Sequence, residues 1–136
     1  LLDQFPRNVH RGRAAAFATD AQALATTRAG IALGHDRELA PIERLFFYMP
    51  LQHAEDRDAQ DESVERFAAL AATAPPDLRV LLEKSHAYAI EHRAIVTRFG
   101  RFPYRNAIVG RESTSDELEW LGAEPPDFAR SITPAK

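Results

Sequence analysis

The sequence predicts an all-α protein, built from antiparallel helical hairpins stacked in a tetratricopeptide-like array. Apolar residues recur every three or four positions through most of the chain, which is the spacing of one face of an α-helix. No segment alternates polar and apolar residues for long enough to build a sheet, and "AIVG" alone is too short. Helices of about 20 residues joined by short links pack side by side with opposite directions.

The first two predicted helices are delimited by glycine and proline. An alanine-rich stretch with high helix propensity predicts a helix from Gly12 to Gly34, where the second glycine ends it. Pro41 suits the first turn of the next helix, and Pro50 is expected to break or kink it. The second helix is therefore predicted to be short.

Two longer helices are predicted in the middle of the chain. Carboxylates at the start of the segment from Ala54 to Ala74 suit the positive end of a helix dipole, and apolar residues follow at helical spacing. Asp77 is expected to cap a fourth helix, which continues to Gly100. These two helices should contribute much of the core.

The chain is predicted to form one domain, residues 1–136, with a short helix near its end. Its 136 residues can bury a core without disulfides or metals. Thr114 and Glu117 have the spacing of a capping box at the start of that helix. The proline-containing segment 124–136 is expected to be a loosely packed tail.

Composition narrows the function classes. The sequence contains no cysteine, so it has no disulfide framework and no thiolate metal site, and it suits a reducing cytoplasm. A formal net charge of -3 favours neither nucleic acid nor an anionic membrane surface as a partner. No apolar run approaches the roughly 20 residues of a membrane span. Composition leaves the oligomeric state undetermined.

A short motif occurs twice. "FPRN" at residues 5–8 is matched by "FPYRN" at residues 102–106, with one residue inserted. In each copy phenylalanine can anchor a loop in the core, proline can fix its backbone, and asparagine can bond to local backbone. Arginine presents a planar set of donors that matches a carboxylate or a phosphate.

The two motifs predict a binding site for a small anion, if the two loops lie close together in the fold. Each loop leads towards a helix N-terminus, where free N–H groups favour an anion. The alternative is that these arginines pair with internal carboxylates such as Asp3, Glu55 and Asp56 and hold the chain ends together. The candidate ligand-binding residues of the motifs and their flanks are Arg7, Asn8, Arg11, Arg101, Arg105, Asn106 and Arg111.

A second constellation of polar residues could line the same pocket. His53, Glu55 and Asp56 follow the proline kink, and His92 lies among apolar residues of the fourth predicted helix. His53, His92 and Asp56 are candidates for general acid or base catalysis, although a histidine in apolar surroundings is more often a hydrogen-bonded core residue. The spacing matches no strong metal-binding pattern, so neither a metal nor another cofactor is predicted.

Several blocks of the sequence resemble a known family. "LLDQFPRNVHRG", "ERLFFYMPLQHAEDRDAQ" and "HRAIVTRFGRFPYRNAIVGRESTSDELEWL" are similar, in order and spacing, to the mainly bacterial family catalogued as domain of unknown function nine-two-four. The resemblance covers residues 1–121. It implies an all-helical, tetratricopeptide-like fold, and it implies that roughly 50 to 60 residues of N-terminal helices precede Leu1 in a typical member.

The resemblance leaves function open, because the family has no established activity. Tyr104 stands where the family often has histidine, and Ala54 where it often has serine. The leading hypothesis is a cytoplasmic binding module with a pocket lined by arginine, histidine and carboxylate groups, for a small anionic ligand or a peptide carboxylate. One alternative is a hydrolase acting on an anionic substrate with His92 or His53 as general base. Another is a protein-interaction scaffold with a groove for a partner helix.

Overall fold

A computed structural model describes residues 1–123 and 125–130, and within them the fold is all-α. Three short 3-10 turns, at Ala14–Phe17, His35–Glu38 and Pro103–Arg105, connect some of the helices. The α-helices are α1 Gln4–Val9, α2 Asp20–Ala32, α3 Pro41–Gln52, α4 Arg57–Ala72, α5 Arg79–Phe99, α6 Asn106–Val109, α7 Ser115–Gly122 and α8 Asp127–Arg130.

The predicted helix from Gly12 to Gly34 is wrong in its first third. The chain makes a 3-10 turn before α2 begins at Asp20. A tertiary contact overrides the helix propensity of the alanines here, because the Thr19 hydroxyl donates a hydrogen bond to the carbonyl of Leu2 at 2.6 Å. Gly34 ends the helical segment as predicted, with a left-handed φ of 78°.

The sequence predicted that Pro50 would break or kink its helix, but the helix does not end there. Pro41 does occupy the first turn of α3, but the helix continues through Pro50 to Gln52. A proline near the end of a helix removes one N–H and frees one carbonyl. His53 still donates its backbone N–H to the carbonyl of Met49 at 3.0 Å, so the last turn remains closed.

The other helix boundaries shift by a few residues or agree. α4 starts at Arg57 rather than Ala54, because the Asp56 carboxylate caps it by accepting the Ala59 N–H at 2.7 Å. α5 is preceded by Leu78, so the predicted cap at Asp77 is wrong, whereas its end at Gly100 is confirmed. The capping box that was predicted for α7 is present in the structure, between Thr114 and Glu117.

The core is formed where consecutive helices α2 to α5 pack against one another. Gly30 of α2 allows a close approach, because a Cβ atom there would lie 2.6 Å from the ring of Phe47. The tetratricopeptide-like stacking order stays a prediction. The main apolar cluster of buried side chains includes Leu45, Leu51, Phe67, Leu70 and Leu82, and a second cluster includes Ile95, Val96, Phe102 and Tyr104.

The predicted tail, 124–136, lies partly outside the described residues, namely at 124 and 131–136. Of the rest, Asp127–Arg130 forms α8 and Ala129 is buried in the second cluster. In the part of the chain that the structure describes, no helix combines the length and the apolar character that crossing a membrane requires.

Candidate functional site

The first "FPRN" segment forms helix α1 instead of the predicted loop. Its arginine, Arg7, donates two hydrogen bonds to the carboxylate of Asp20, at 2.8 and 2.9 Å. The same guanidinium lies 2.8 Å from a carboxylate oxygen of Asp3. Arg7 therefore ties α1 to the first residue of α2.

The second segment forms a buried corner after α5. Arg105 is only 5% exposed, and it donates to the same Asp20 carboxylate at 3.3 Å and to the backbone carbonyl of His53 at 2.9 Å. Its guanidinium carbon lies 4.6 Å from the ring centres of both Phe17 and Phe102. Burial between two aromatic rings strengthens such cation–π contacts. The two motif arginines thus meet at one carboxylate.

A cavity of about 270 Å³ lies beside these arginines. Its cationic side chains are Arg7, Arg11 and Arg105, and aromatic rings form much of the remaining wall. Arg11 is exposed, and it has no hydrogen bond or ion pair with any residue that the structure describes. The cavity is lined by Gln4, Arg7, Asn8, Arg11, Gly12, Ala16, Phe17, Gln52, His53, Tyr88, His92, Tyr104, Arg105 and Phe128.

His53 lines the cavity, and it forms a hydrogen-bonded pair with Asp3, which lies behind it. His53 Nδ1 lies 2.8 Å from Asp3 Oδ1. Burial alone would raise the pKa of Asp3, but His53 and Arg7 outweigh it and lower that pKa to about 2. Burial lowers the pKa of His53 and outweighs the charge and hydrogen bond of Asp3, which raise it; the positive charges of Arg7 and Arg105 add to the lowering. Asp3 is therefore ionised and His53 neutral near pH 7, with the Nδ1 proton donated to Asp3.

The neutral His53 ring has a free basic nitrogen. Because Nδ1 donates to Asp3, Nε2 is the nitrogen with the available lone pair. Among the described residues, no hydrogen bond reaches His53 Nε2. This arrangement matches a general base that a carboxylate holds in one tautomer.

His92 has a different environment. Its Nδ1 donates to the carbonyl of Tyr88 one turn earlier, at 2.7 Å, and its ring stacks on Phe128 with centres 4.0 Å apart. Burial lowers the pKa of His92 to about 3. The centres of the two imidazole rings lie 6.0 Å apart, and both rings line the cavity. His92 lacks the carboxylate partner that His53 has, which makes it the weaker candidate base.

A second cavity of about 370 Å³ shares three side chains with the first: Phe17, His53 and Arg105. Its carboxylate residues are Asp20, Glu55 and Asp56. The remaining residues that line it are Ala21, Leu24, Ala54, Val109 and Arg111.

Glu55 and Arg111 form a structural pair beside this second cavity. Two hydrogen bonds of 2.6 and 2.7 Å join the guanidinium of Arg111 to the Glu55 carboxylate, which also accepts the backbone N–H of Phe102. Burial alone would raise the pKa of Glu55, but the Arg111 and Phe102 hydrogen bonds outweigh it and lower that pKa. The contacts of these two residues match the alternative in which the arginines pair with internal carboxylates.

Two candidate residues lie at neither cavity. Arg101 makes two hydrogen bonds to the carboxylate of Glu117, at 2.7 and 2.9 Å. Asn106 is buried, and it donates to Glu117 at 3.1 Å and to the hydroxyl of Ser113 at 3.0 Å. Both residues support the capping box of α7. Arg101 and Asn106 therefore lie away from the cavities, where they contact the buried carboxylate of Glu117.

Several residues that line the two cavities or contact their lining were missed as site residues. The sequence predicted one helix from Gly12 to Gly34, which puts Asp20 in its interior, whereas Asp20 is the first residue of α2. Asp3 had been named as an internal partner for arginine, and it also bonds to His53. The aromatic residues of the wall come from four separate elements, and no sequence spacing relates them: Phe17, Tyr88, Tyr104 and Phe128.

Comparison with known proteins identifies the family. Residues 1–124 match the family described as bacterial protein of unknown function (DUF924), so the chain belongs to that family, as the sequence resemblance implied. A solved structure of a protein of unknown function from Agrobacterium tumefaciens, ATU0120, is 41% identical, with a TM-score of 0.77 over 90% of this chain. The match spans 64% of that protein's length. No curated protein matches the chain.

Proposed function

We propose that this member of the family binds a small organic anion with a flat apolar body, in the cavity lined by Arg7, Arg11 and Arg105. The observation that carries the proposal is the composition of the cavity wall: three guanidinium groups, aromatic rings and, among the described residues, no carboxylate. A carboxylate or phosphate matches the planar donor set of arginine. Aromatic walls suit a ring or another planar group.

Arg11 is expected to dominate the charge recognition. Arg7 and Arg105 share Asp20, and Arg7 also contacts Asp3, so internal carboxylates already offset part of their charge. Arg11 has no such partner among the described residues. An anion in the cavity would gain the full attraction of Arg11 and the remaining N–H donors of the other two arginines.

Calorimetry with N-acetyl-L-phenylalanine and its uncharged amide tests the proposal. We expect the acid to bind and to raise the melting temperature, and the amide to bind at least about tenfold more weakly, because a charge-assisted hydrogen bond contributes about 1.5–3 kcal/mol. Arg11→Gln should weaken binding of the acid. Arg13→Gln is the matched control, because Arg13 is an exposed arginine two residues away that does not line the cavity. Equal affinity for acid and amide would contradict the proposal.

A second candidate function, hydrolysis of an anionic ester, is favoured by the contact between Asp3 and His53. In that reaction His53 Nε2 would take a proton from water as the water oxygen attacks the ester carbonyl. The same proton would then pass to the departing alcohol, while Asp3 holds the Nδ1 proton. The reaction requires a neutral His53, in agreement with its lowered pKa, and a water molecule within hydrogen-bond reach of Nε2.

A 4-nitrophenyl ester that carries a carboxylate is a suitable probe for this second function. We expect His53→Ala to abolish release of nitrophenolate while binding of N-acetyl-L-phenylalanine persists. His35→Ala, at an exposed histidine outside both cavities, is the control. The rate should be constant at neutral pH and fall in acid, as His53 becomes protonated. A rate that survives His53→Ala would remove this candidate and leave the binding proposal intact.

A further inference from the structure

The two cavities adjoin at Phe17, His53 and Arg105, which line both of them. A ligand that extends past these side chains would contact both cavities. Each cavity alone is small, at about 270 and 370 Å³. The lining of each cavity then indicates which chemical group each end of such a ligand carries.

The charges of the two linings are opposite. The first cavity has arginines and no carboxylate among its described lining residues, and Arg11 is its unneutralised charge. In the second cavity, arginines neutralise Asp20 and Glu55. Asp56 is the remaining carboxylate, and its ion pair with Arg28 is long, at 3.4 Å, between half-exposed side chains. Such exposed pairs contribute little and are easily exchanged.

The boundary between the cavities can accept a polar linkage. His53 offers an acceptor nitrogen there, because its Nδ1 proton is held by Asp3. Arg105 offers terminal N–H donors there, because its contacts with Asp20 and with the His53 carbonyl use only one N–H of each terminal nitrogen. A peptide unit presents one N–H donor and one carbonyl acceptor, which complements this pair.

From these features we infer that the ligand is a short peptide with both termini free and an aromatic C-terminal residue. Its carboxylate and ring occupy the first cavity, and its ammonium group occupies the second, near Asp56. A single amino acid cannot reach both cavities, because its two charges are attached to one carbon. A dipeptide separates them by up to roughly 7 Å. This inference rests on the proposed anion site and specifies its ligand class.

Calorimetry with glycyl-phenylalanine and two blocked forms tests the inference. We expect glycyl-phenylalanine to bind about fivefold more tightly than N-acetylglycyl-phenylalanine, since one partly exposed charge pair contributes up to about 1 kcal/mol. Asp56→Asn should abolish this difference. Asparagine is also a good N-cap, so α4 should remain folded in that variant.

Asp58→Asn is the matched control, because it removes a carboxylate from the first turn of the same helix, outside both cavities. That variant should keep the preference for the free amine. Equal affinity of the free and acetylated peptides for the unsubstituted protein would overturn the peptide inference and leave the anion site standing. If glycyl-phenylalanine amide binds as well as the acid, and the acetylated acid does not bind, the anion site itself fails.

Discussion

The two copies of the phenylalanine–proline–arginine–asparagine motif have similar sequences and different structures. Phe5 lies on the outer face of helix α1 and is 62% exposed, whereas Phe102 is 0% exposed in the second apolar cluster. Asn8 is exposed at the cavity rim, and Asn106 is buried under Glu117. Only the arginines have comparable roles, because both donate to Asp20.

The difference shows that the motif does not determine its own conformation. The second copy follows Gly100, where a left-handed φ of 74° ends α5 and turns the chain back towards the core. There Glu55 accepts the backbone N–H of Phe102, which holds the corner in place. In the first copy the backbone N–H of Phe5 is donated to the nearby carbonyl of Leu1, at 3.3 Å, rather than to a side chain of another helix. A motif repeated in sequence therefore need not be a repeated structural unit.

The largest expected effect separates the two phenylalanines. Phe102→Ala should lower the free energy of unfolding by about 3–5 kcal/mol, because it leaves a cavity in the core. Phe5→Ala should change it by less than about 0.5 kcal/mol, as is usual at exposed positions. Urea denaturation of the two variants measures both values. Similar losses in the two variants would show that Phe5 is buried in solution.

An intermediate effect concerns pH and the histidine beside the second copy. The ring of His92 lies 5.5 Å from that of Phe102, and burial lowers the pKa of His92 to about 3. In the unfolded chain His92 takes up a proton at a higher pH than in the folded protein. Its contribution to stability is therefore complete above an unfolded-state pKa of about 6.5 and is lost as the pH falls towards 3.

The loss should reach about 1.4 kcal/mol for each pH unit in that range. His92→Gln removes this titrating group. The slope of the free energy of unfolding against pH should therefore decrease by the amount that corresponds to about one bound proton. His35→Gln, at an exposed histidine, is the matched control. If the slope of His92→Gln equals that of the unsubstituted protein, His92 is already exposed to solvent in the folded state.

The smallest expected effect tests the role that the two motif copies share. Because Arg7 and Arg105 contact the same carboxylate, their substitutions should not be additive. A double-mutant cycle with Arg7→Gln and Arg105→Gln should give a coupling energy of about 0.5–1 kcal/mol. The same cycle in an Asp20→Asn background should show a smaller coupling. Additive effects in the original background would mean that Asp20 does not connect the two segments.

Much of the fold could be predicted because glycine and capping residues mark helix ends within a few residues of sequence. Gly34 and Gly100 end their helices as expected, and Thr114 with Glu117 caps α7. The misplaced start of α2 has the opposite cause: helix propensity in the alanine run is a local preference of tenths of a kcal/mol per residue. Tertiary contacts at Thr19 and Asp20 outweigh that preference.

The candidate site was predictable only in part. The sequence predicted that the motif arginines converge if the two loops lie close together, and Arg7 and Arg105 do meet at one carboxylate. It named His53 as a candidate base, and it named Asp3 and Glu55 as possible internal partners of arginine, which they are for Arg7 and Arg111. It did not predict Asp20 and Glu117 as the partners of Arg105 and Arg101, because these pairs are 85 and 16 residues apart in sequence. Whether an arginine is available to a ligand or already paired depends on those distant groups.

By itself the sequence determined the helical class, the ends of α2 and α5, the starts of α3 and α7, and the kinds of polar side chain that could form a site. Periodicity and caps act within a few residues, so they can be read without coordinates. Only the tertiary structure decided that one motif is a surface helix and the other a buried corner, that Asp20 joins them, and that Asp3 orients His53. Burial and pairing at those places depend on packing between helices that are distant in sequence, which no local pattern encodes.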